Sequence, residues 1–247
     1  MADAKRVAVV SDVHGNLQAL EAVLADINEN QVDEIWHTGD IVGYGARPNE
    51  VVKLLADYGA IGISGNHDAE AIDEYGTGVA FNPEARAAIL WTKRVLNAAS
   101  WHWLHNLRPL ALHKIGDERV LLAHGSPRSP HAEYLSPMGA SDAFAALKEF
   151  GADFGLYGHT HVPAEIYLRP QSAEPTRQVW YDPYDGFSRY TEVELRPHLP
   201  SAAATGAWIN AGSVGQPRDG DSRASWLLLS QQKSGLAHRQ LFRTEYD

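Results

Sequence analysis

The sequence lacks both cysteine and long apolar runs. None of its 247 residues is a cysteine, which excludes disulfide bonds, thiolate metal ligands and cysteine nucleophiles. No apolar run exceeds five residues, whereas a transmembrane helix needs roughly 20. The residues before the first apolar stretch also contain no signal-peptide core. We therefore expect a cytoplasmic protein that does not associate with membranes.

Basic residues are scarce as well. The chain has 21 Lys and Arg against 31 Asp and Glu, and its formal net charge is −10. Proteins that bind nucleic acid generally present a basic surface, so we do not expect this chain to be one of them. The overall charge would also repel a phosphate substrate. A locally positive site would have to overcome that repulsion, and metal ions can supply one.

The first third of the chain alternates short apolar segments with helical patterns. Strands are predicted at residues 7–10, 32–38 and 60–64. Between them, the spacing of apolar residues over 17–27 predicts a helix capped by Asn16, and Pro48 suits the start of a second helix. This repeated order of strand, polar motif and helix indicates an α/β protein with parallel strands.

The rest of the chain contains more strands and fewer helices. Helices are predicted at 83–107 and 142–150. Six further apolar segments read as strands: 110–112, 120–122, 154–156, 166–168, 208–210 and 226–229. Residues 169–205 are rich in proline and polar aromatic residues, and we interpret them as a long excursion or hairpin within a single domain of residues 1–247. The pattern predicts two packed sheets with helices outside.

Five segments place Asp, Asn or His beside glycine or at the ends of predicted strands. They are Asp12-Val13-His14, Gly39-Asp40, Gly65-Asn66-His67-Asp68, Ala123-His124-Gly125 and Gly158-His159-Thr160-His161. In open α/β sheets, ligands gather outside the carboxyl ends of the strands. Carboxylate, amide and imidazole groups are ligands of borderline divalent metals. Two such metals held about 3.5–4 Å apart form a device for hydrolysing phosphate esters.

The spacing inside two of these segments carries a further expectation. Asp12 and His14 are two residues apart, as are His159 and His161. In an extended backbone, this spacing places both side chains of a pair on the same side. We therefore expect the two side chains of each pair to project from one side of an extended segment.

The order DxH, GD, GNHD, H and GHTH resembles the calcineurin-like metallophosphoesterase family. Residues 210–220 are similar to a later motif in a bacterial branch of that family. The resemblance implies an α/β fold of two mixed β-sheets packed as a sandwich and flanked by helices. It also implies two divalent metals with seven ligands: Asp12, His14 and His161 for the first metal, Asn66, His124 and His159 for the second, and Asp40 as the bridge.

The resemblance also implies roles for residues beyond the ligands. A hydroxide held by the metals would attack phosphorus, and His67 would face the substrate and protonate the leaving alkoxide. We expect Asp68 to orient His67. Arg47 and Arg218 lie just beyond motif segments and could bind a substrate phosphate, since arginine suits phosphate oxygens; the alternative for both is a surface salt bridge.

The ligand set does not decide the identity of the metal. We expect manganese, although iron, zinc, cobalt and nickel also accept imidazole with carboxylate. The remaining histidines are expected to be ordinary polar residues: His37, His102, His105, His113, His131, His198 and His238.

Several functions agree with these motifs. We expect a metal-dependent phosphoesterase, either a phosphodiesterase or a broad-specificity phosphatase, that acts on phosphorylated small molecules or nucleotides. A serine/threonine protein phosphatase is an alternative, but the run Gly39–Gly45 lacks the Asp-Arg pair of those enzymes, and Asp68 stands where they have Glu. Another alternative is an interaction scaffold that has lost catalytic residues, like a retromer subunit that resembles this family. Here every ligand position is intact.

Overall fold

The computed structural model describes residues 5–136, 140–168, 175–179, 192–194, 206–231 and 238–247. These residues form twelve strands: β1 (Arg6–Val10), β2 (Glu34–His37), β3 (Ile61–Gly62), β4 (Leu110–Ile115), β5 (Glu118–Ala123), β6 (Phe154–Tyr157), β7 (Ala164–Leu168), β8 (Pro175–Val179), β9 (Glu192–Glu194), β10 (Ala207–Asn210), β11 (Ala224–Ser230) and β12 (His238–Thr244). They also form six helices: α1 (Leu17–Glu29), α2 (Pro48–Asp57), α3 (Asn66–Ile72), α4 (Pro83–Val95), α5 (Ala98–His105) and α6 (Ala140–Phe150).

The strands form two mixed sheets. The first sheet has the order β3-β2-β1-β11-β12-β9, and the second has the order β4-β5-β6-β10-β7-β8. In the first sheet β1, β2 and β3 are parallel, while β11 runs antiparallel to β1. In the second sheet β5, β6 and β10 are parallel. The predicted fold class, α/β with two mixed sheets flanked by helices, is confirmed.

Alternation of side chains along the strands builds a core in layers. Val7 and Val9 of β1 face the second sheet and pack in the cluster between the two sheets, with Val120 and Ile209 among its members. Ala8 and Val10 point the opposite way, toward the cluster that holds α1 and α2. A third cluster packs α6 on the outer face of the second sheet. Such alternation follows from the two-residue period of a strand, and it stacks the molecule as helices, sheet, sheet and helix.

The prediction of a single helix at 83–107 is wrong in one respect, because the segment forms two helices. Leu96 has an extended backbone (φ −60°, ψ 126°), which ends α4. The Asn97 side chain then accepts a hydrogen bond from the Ser100 amide (2.8 Å) and starts α5. An asparagine suited to capping therefore divides the segment.

The predicted excursion at 169–205 falls mainly outside the described residues. Of this segment the structure describes β8 and β9, whose positions had not been predicted. The strand β8 pairs with β7 at the edge of the second sheet, and β9 pairs with β12 at the edge of the first. Within the described part of the chain, no helix is both long and apolar enough to cross a membrane.

Candidate metal centre

Four of the predicted ligands lie just beyond the carboxyl end of a strand, and Asn66 is the first residue of α3. Asp12 follows β1 and Asp40 follows β2, in the first sheet. His124 follows β5 and His159 follows β6, in the second sheet. Because β1 is parallel to β2 and β5 is parallel to β6, each pair of ends lies at one edge of its sheet. The two sheets bring these ends together, as the strand pattern predicts.

The prediction that the paired ligands project from extended backbone is wrong. Asp12 and His14 have φ angles of +52° and +50°, and His159 and His161 have φ angles of +66° and +58°. Asp40 also lies in the left-handed region, at +54°. Non-glycine residues rarely adopt this conformation, and such strain gathers at functional sites. The side chains converge because the loops turn sharply, and not because extended segments face the same way.

The ligand atoms form two groups that share Asp40. One group consists of Asp12, His14, Asp40 and His161, and the other of Asp40, His124 and His159; within each, the ligand atoms lie within 4.8 Å of one another. Asn66 joins the second group, since its Oδ1 lies 3.1 Å from His124 Nε2. All of these residues except Asn66 are buried.

Asp40 lies between the two groups. Its Oδ2 is 3.2 Å from His124 Nε2 and 3.6 Å from His14 Nε2, so one oxygen approaches a histidine of each group. Its Oδ1 accepts a hydrogen bond from the His67 amide (2.8 Å). The backbone thus fixes one carboxylate oxygen and directs the other to the centre of the site.

The imidazoles are oriented as metal ligands. His14 and His161 each direct Nδ1 at a backbone carbonyl, of Val42 (3.1 Å) and Gln216 (2.7 Å) respectively. A carbonyl only accepts, so Nδ1 carries the hydrogen and Nε2 carries a lone pair. These two Nε2 atoms lie 3.1 Å apart. Two acceptors at this distance repel each other unless a cation lies beside them, so the donor set fits a divalent metal.

The second group repeats this arrangement. His124 directs Nδ1 at the Thr38 carbonyl (2.8 Å), which leaves Nε2 as the acceptor when the ring is neutral, as it must be to bind a metal. That Nε2 lies 3.1 Å from both Asn66 Oδ1 and His159 Nδ1. His124 Nε2 and Asn66 Oδ1 thus face each other as two acceptors with a ring nitrogen of His159 beside them, which also fits a cation.

The electrostatic environment favours positive charge at the centre. Burial lowers the pKa of His14 and lowers the pKa of His159 to about 3, which keeps both rings in the neutral, ligating form. Burial also acts to lower the pKa of His124, but the Asp40 carboxylate outweighs this effect and raises that pKa to about 9. The raised value reports a strongly negative potential beside Asp40.

The segment similar to a later family motif supports two of the ligand loops. Asn210 donates to the Gly158 carbonyl (2.7 Å) and to Thr160 Oγ1 (3.1 Å), which braces the loop of His159 and His161. Ser213 Oγ donates to the Asp12 carbonyl (2.8 Å). Sequence reasoning found this segment by resemblance and missed its supporting role.

His67 lies beside the centre at the start of α3. Its ring packs against His14 and Tyr44 (centroid distances 4.8 Å) and against Phe81 (4.7 Å). Its Nδ1 is buried and has no hydrogen-bond partner in the described part of the chain. Burial lowers its pKa. The ring is therefore fixed by packing, and one nitrogen remains without a protein partner.

Asp68 does not orient His67, contrary to the prediction. Its Oδ1 accepts hydrogen bonds from the amides of Ile41 (2.8 Å) and Val42 (3.0 Å), and its Oδ2 accepts one from Gly65 (3.0 Å). Burial raises its pKa to about 7, and the nearby Asp40 carboxylate adds to the rise. Asp68 joins the loop after β2 to the start of α3, and so acts as a structural brace.

The two predicted arginines lie at different cavities. Arg218 lines a cavity of about 440 Å³ together with Asp40, His67 and His161. Its Nη2 contacts Gln216 Oε1 (2.7 Å) and the Tyr44 hydroxyl (3.4 Å).

Arg47 lines a neighbouring cavity of about 460 Å³, which also contacts His14. Its Nε is paired with Glu50 Oε1 (2.9 Å), as the alternative of a surface salt bridge expects. Of the two arginines, Arg218 is therefore the one whose guanidinium faces the metal centre without a carboxylate partner among the described contacts.

Three residues that the sequence did not single out also line the cavity of Arg218: Tyr44, His131 and Tyr134. His131 had been expected to be an ordinary polar residue, and its Nε2 lies 3.0 Å from Ser64 Oγ. Tyr44 has a φ of +52°, which is strained for an aromatic residue. In the sequence, only the position of these three residues just after the second and fourth motifs could have indicated that they line the cavity.

Comparison with known proteins agrees with the fold. The model of the calcineurin-like phosphoesterase family matches residues 5–163. An uncharacterized protein of Methanocaldococcus jannaschii is 34% identical over 242 residues, which cover 98% of this chain and 88% of that protein. The chain therefore belongs to the calcineurin-like phosphoesterase family, and it is a phosphoric ester hydrolase.

Solved structures share the fold. The crystal structure of a metallophosphoesterase from Sphaerobacter thermophilus is 35% identical, with a TM-score of 0.70, and the match covers 98% of this chain and 89% of that one. A hypothetical protein from Pyrococcus horikoshii is 20% identical with a TM-score of 0.72, covering 98% and 88% of the two chains, and shows the same fold.

A symmetrical bis(5'-nucleosyl)-tetraphosphatase of Actinobacillus pleuropneumoniae is 41% identical over a short region. The match spans 63 residues, which are 24% of this chain and 23% of that enzyme. The chain thus spans about a quarter of that relative's length, and the likeness is confined to this part.

Proposed function

We propose that this chain hydrolyses esters of phosphorylated small molecules or nucleotides with two divalent metal ions held side by side. The observation that carries the proposal is the pair of ligand groups that share Asp40. In this proposal Asp12, His14 and His161 hold one ion, Asn66, His124 and His159 hold the other, and Asp40 bridges them. Manganese is the proposed metal, and the cytoplasm is the proposed location.

The protein residues position the substrate and move the proton. When bound, the two ions supply positive charge for phosphate oxygens and lower the pKa of a water molecule toward neutrality. Arg218 is placed to bind a phosphate oxygen that projects into the cavity. His67 faces the same cavity, where its ring can donate a proton to the departing alkoxide.

We expect His67→Ala to retain both metals and to lose turnover mainly on esters with poor leaving groups. A nitrophenolate leaves without a proton, whereas an alkoxide needs one, and general acid catalysis contributes about 10²–10⁴-fold. Rates on a nitrophenyl ester and an alkyl ester, together with elemental analysis, check this. Loss of metal, or equal rate losses on both esters, would reject the acid role.

We expect metal removal to lower thermal stability. Metals that bind only the folded chain stabilise it by about 2.7 kcal/mol at 100 times Kd, which is roughly 5–10 °C for a chain of this size. Differential scanning calorimetry with Mn²⁺ and with a chelator measures the shift. The variant His102→Ala, on α5, should show the same shift as the wild type, and an unchanged Tm in the wild type would contradict the proposed centre.

A screen of phosphate-ester hydrolysis tests the activity itself, with inorganic phosphate as the readout for monoesters, and nitrophenolate or the chromatographed monoester as the readout for diesters. It should cover mono- and bis-nitrophenyl phosphate, nucleotides, cyclic nucleotides, sugar phosphates and phosphopeptides with manganese present. The nucleotide class is supported by the local likeness to a bis(5'-nucleosyl)-tetraphosphatase. Hydrolysis of phosphopeptides alone would favour the protein phosphatase alternative. An absence of hydrolysis at full metal occupancy would favour the scaffold.

A further inference from the structure

The cavity beside the metal centre extends away from it along α3. Asn66, Glu70 and Asp73 all line this cavity. They occupy positions i, i+4 and i+7 of α3 and its C-terminal cap, so they share one side of the helix. At a rise of about 1.5 Å per residue, Glu70 and Asp73 lie roughly 6 and 10 Å along the axis from Asn66. The cavity is thus deep enough for a substrate group beyond the phosphate.

The lining of this cavity also offers an aromatic surface, Tyr134. Tyr134 stacks on the ring of His159 at a centroid distance of 3.9 Å and an angle of 26°. It is nevertheless 57% exposed, so much of the ring beyond the His159 contact is open. The neighbouring Glu133 is held by Arg128, which also pairs with Asp142 of α6 (2.7 Å). An aromatic ring fixed in this way can serve as a platform for a planar group.

The charge of the cavity changes along its length. Arg218 and the metal ligands stand at the inner part, whereas two carboxylates, of Glu70 and Asp73, stand farther along α3. Glu70 Oε1 accepts a hydrogen bond from the Gly78 amide (2.6 Å), and Asp73 Oδ1 accepts one from the Tyr75 amide (3.0 Å). Each carboxylate retains a second oxygen as an acceptor. Lys93 Nζ donates to the backbone carbonyls of Asp73 and Gly76, and the free carboxylate oxygens therefore suit an N–H donor.

We propose that the substrate is a nucleoside phosphate whose base carries an exocyclic amino group. Its phosphate lies at the metal centre, its base stacks on Tyr134, and its amino group faces the carboxylates of Glu70 and Asp73. This inference rests on the proposed function and specifies the substrate of the same site. Tyr134 and the two acidic residues then determine specificity and take no part in the chemical step.

The test compares three monoesters with similar alkyl leaving groups: AMP, IMP and ribose 5-phosphate. Tyr134→Ala should lower the ratio of kcat/KM for AMP to that for ribose 5-phosphate about tenfold, and Tyr134→Phe should retain the ratio. The double variant Glu70→Gln, Asp73→Asn should abolish the preference for AMP over IMP. If the wild type cleaves diesters only, the methyl esters of the three compounds replace them.

Tyr75→Ala is the matched control. Tyr75 is 84% exposed and is not among the residues that line the cavity. The Tyr75→Ala variant should leave unchanged both the ratio of kcat/KM for AMP to that for ribose 5-phosphate and the preference for AMP over IMP. Equal losses on AMP and ribose 5-phosphate in Tyr134→Ala would overturn the inference.

Calorimetric binding of AMP to the manganese-loaded protein separates this inference from the proposed function. If no phosphate ester is cleaved, bis-nitrophenyl phosphate included, the proposed function fails. AMP binding that weakens about tenfold in Tyr134→Ala would still support base recognition. If Tyr134→Ala binds AMP as tightly as the wild type does, base recognition by Tyr134 is refuted.

Discussion

Asp40→Asn is expected to empty both metal positions and to lower phosphoesterase activity by about 10³-fold or more. One oxygen of Asp40 approaches His14 and His124, which belong to different ligand groups. An amide carries no negative charge and has a single acceptor oxygen, so neither ion retains its bridging ligand. Metal chemistry is worth several kcal/mol of transition-state stabilisation, and each 1.36 kcal/mol is tenfold in rate.

The fold should survive this substitution. The oxygen of the introduced amide can still accept the hydrogen bond that the His67 backbone donates to Oδ1 of Asp40. Elemental analysis after gel filtration gives the number of ions per chain, and circular dichroism reports folding. Asp57→Asn is the control, because Asp57 is an exposed carboxylate of α2 paired with Lys53. A variant at Asp40 that still holds two ions per chain would refute the bridge.

The clustering of the proposed ligands could be predicted because Asp, Asn and His side chains follow predicted strand ends. Asp12, Asp40 and His124 each follow an apolar segment whose pattern favours a buried strand, and parallel strands bring such ends to one edge. The left-handed backbone at Asp12 and Asp40 could not be predicted in this way. That conformation is imposed by tertiary contacts such as the hydrogen bond from the Asp12 amide to the Gly39 carbonyl (3.0 Å).

The cavity walls were harder to predict than the ligands. His131 and Tyr134 lie in an irregular segment after β5, where no periodicity exists to indicate which side chains face the site. The helix α3 was missed because the segment from Gly65 was interpreted only as a motif, and glycine offers no capping side chain. Asp68 was assigned to His67 because the two are adjacent in sequence, whereas its carboxylate faces three backbone amides.

Gly65→Ala is expected to remove both metals although it changes no ligand. Gly65 has a φ of −93° and a ψ of −178°, which alanine adopts without strain. The obstacle is space alone, because a Cβ at this position would overlap Asp40 Oδ1 and the Asp40 amide nitrogen. Overpacking of this kind costs about 1–3 kcal/mol, and moving Asp40 away relieves it. We therefore expect activity to fall about 10²-fold or more, because the loss of the metals removes metal-assisted catalysis, as in Asp40→Asn.

Gly59→Ala separates this steric effect from ordinary loss of stability. Gly59 has a φ of +66°, and a Cβ there would meet no atom within 4 Å. Alanine at this position should cost about 1–2 kcal/mol of stability through backbone strain and leave two ions per chain. Metal content and Tm measured on both variants resolve the two effects. If Gly65→Ala kept its metals and lost only stability, the contact between residue 65 and Asp40 would not govern the centre. If it lost its metals and had a Tm close to that of the metal-free wild type, metal binding would depend on the position of the Asp40 carboxylate.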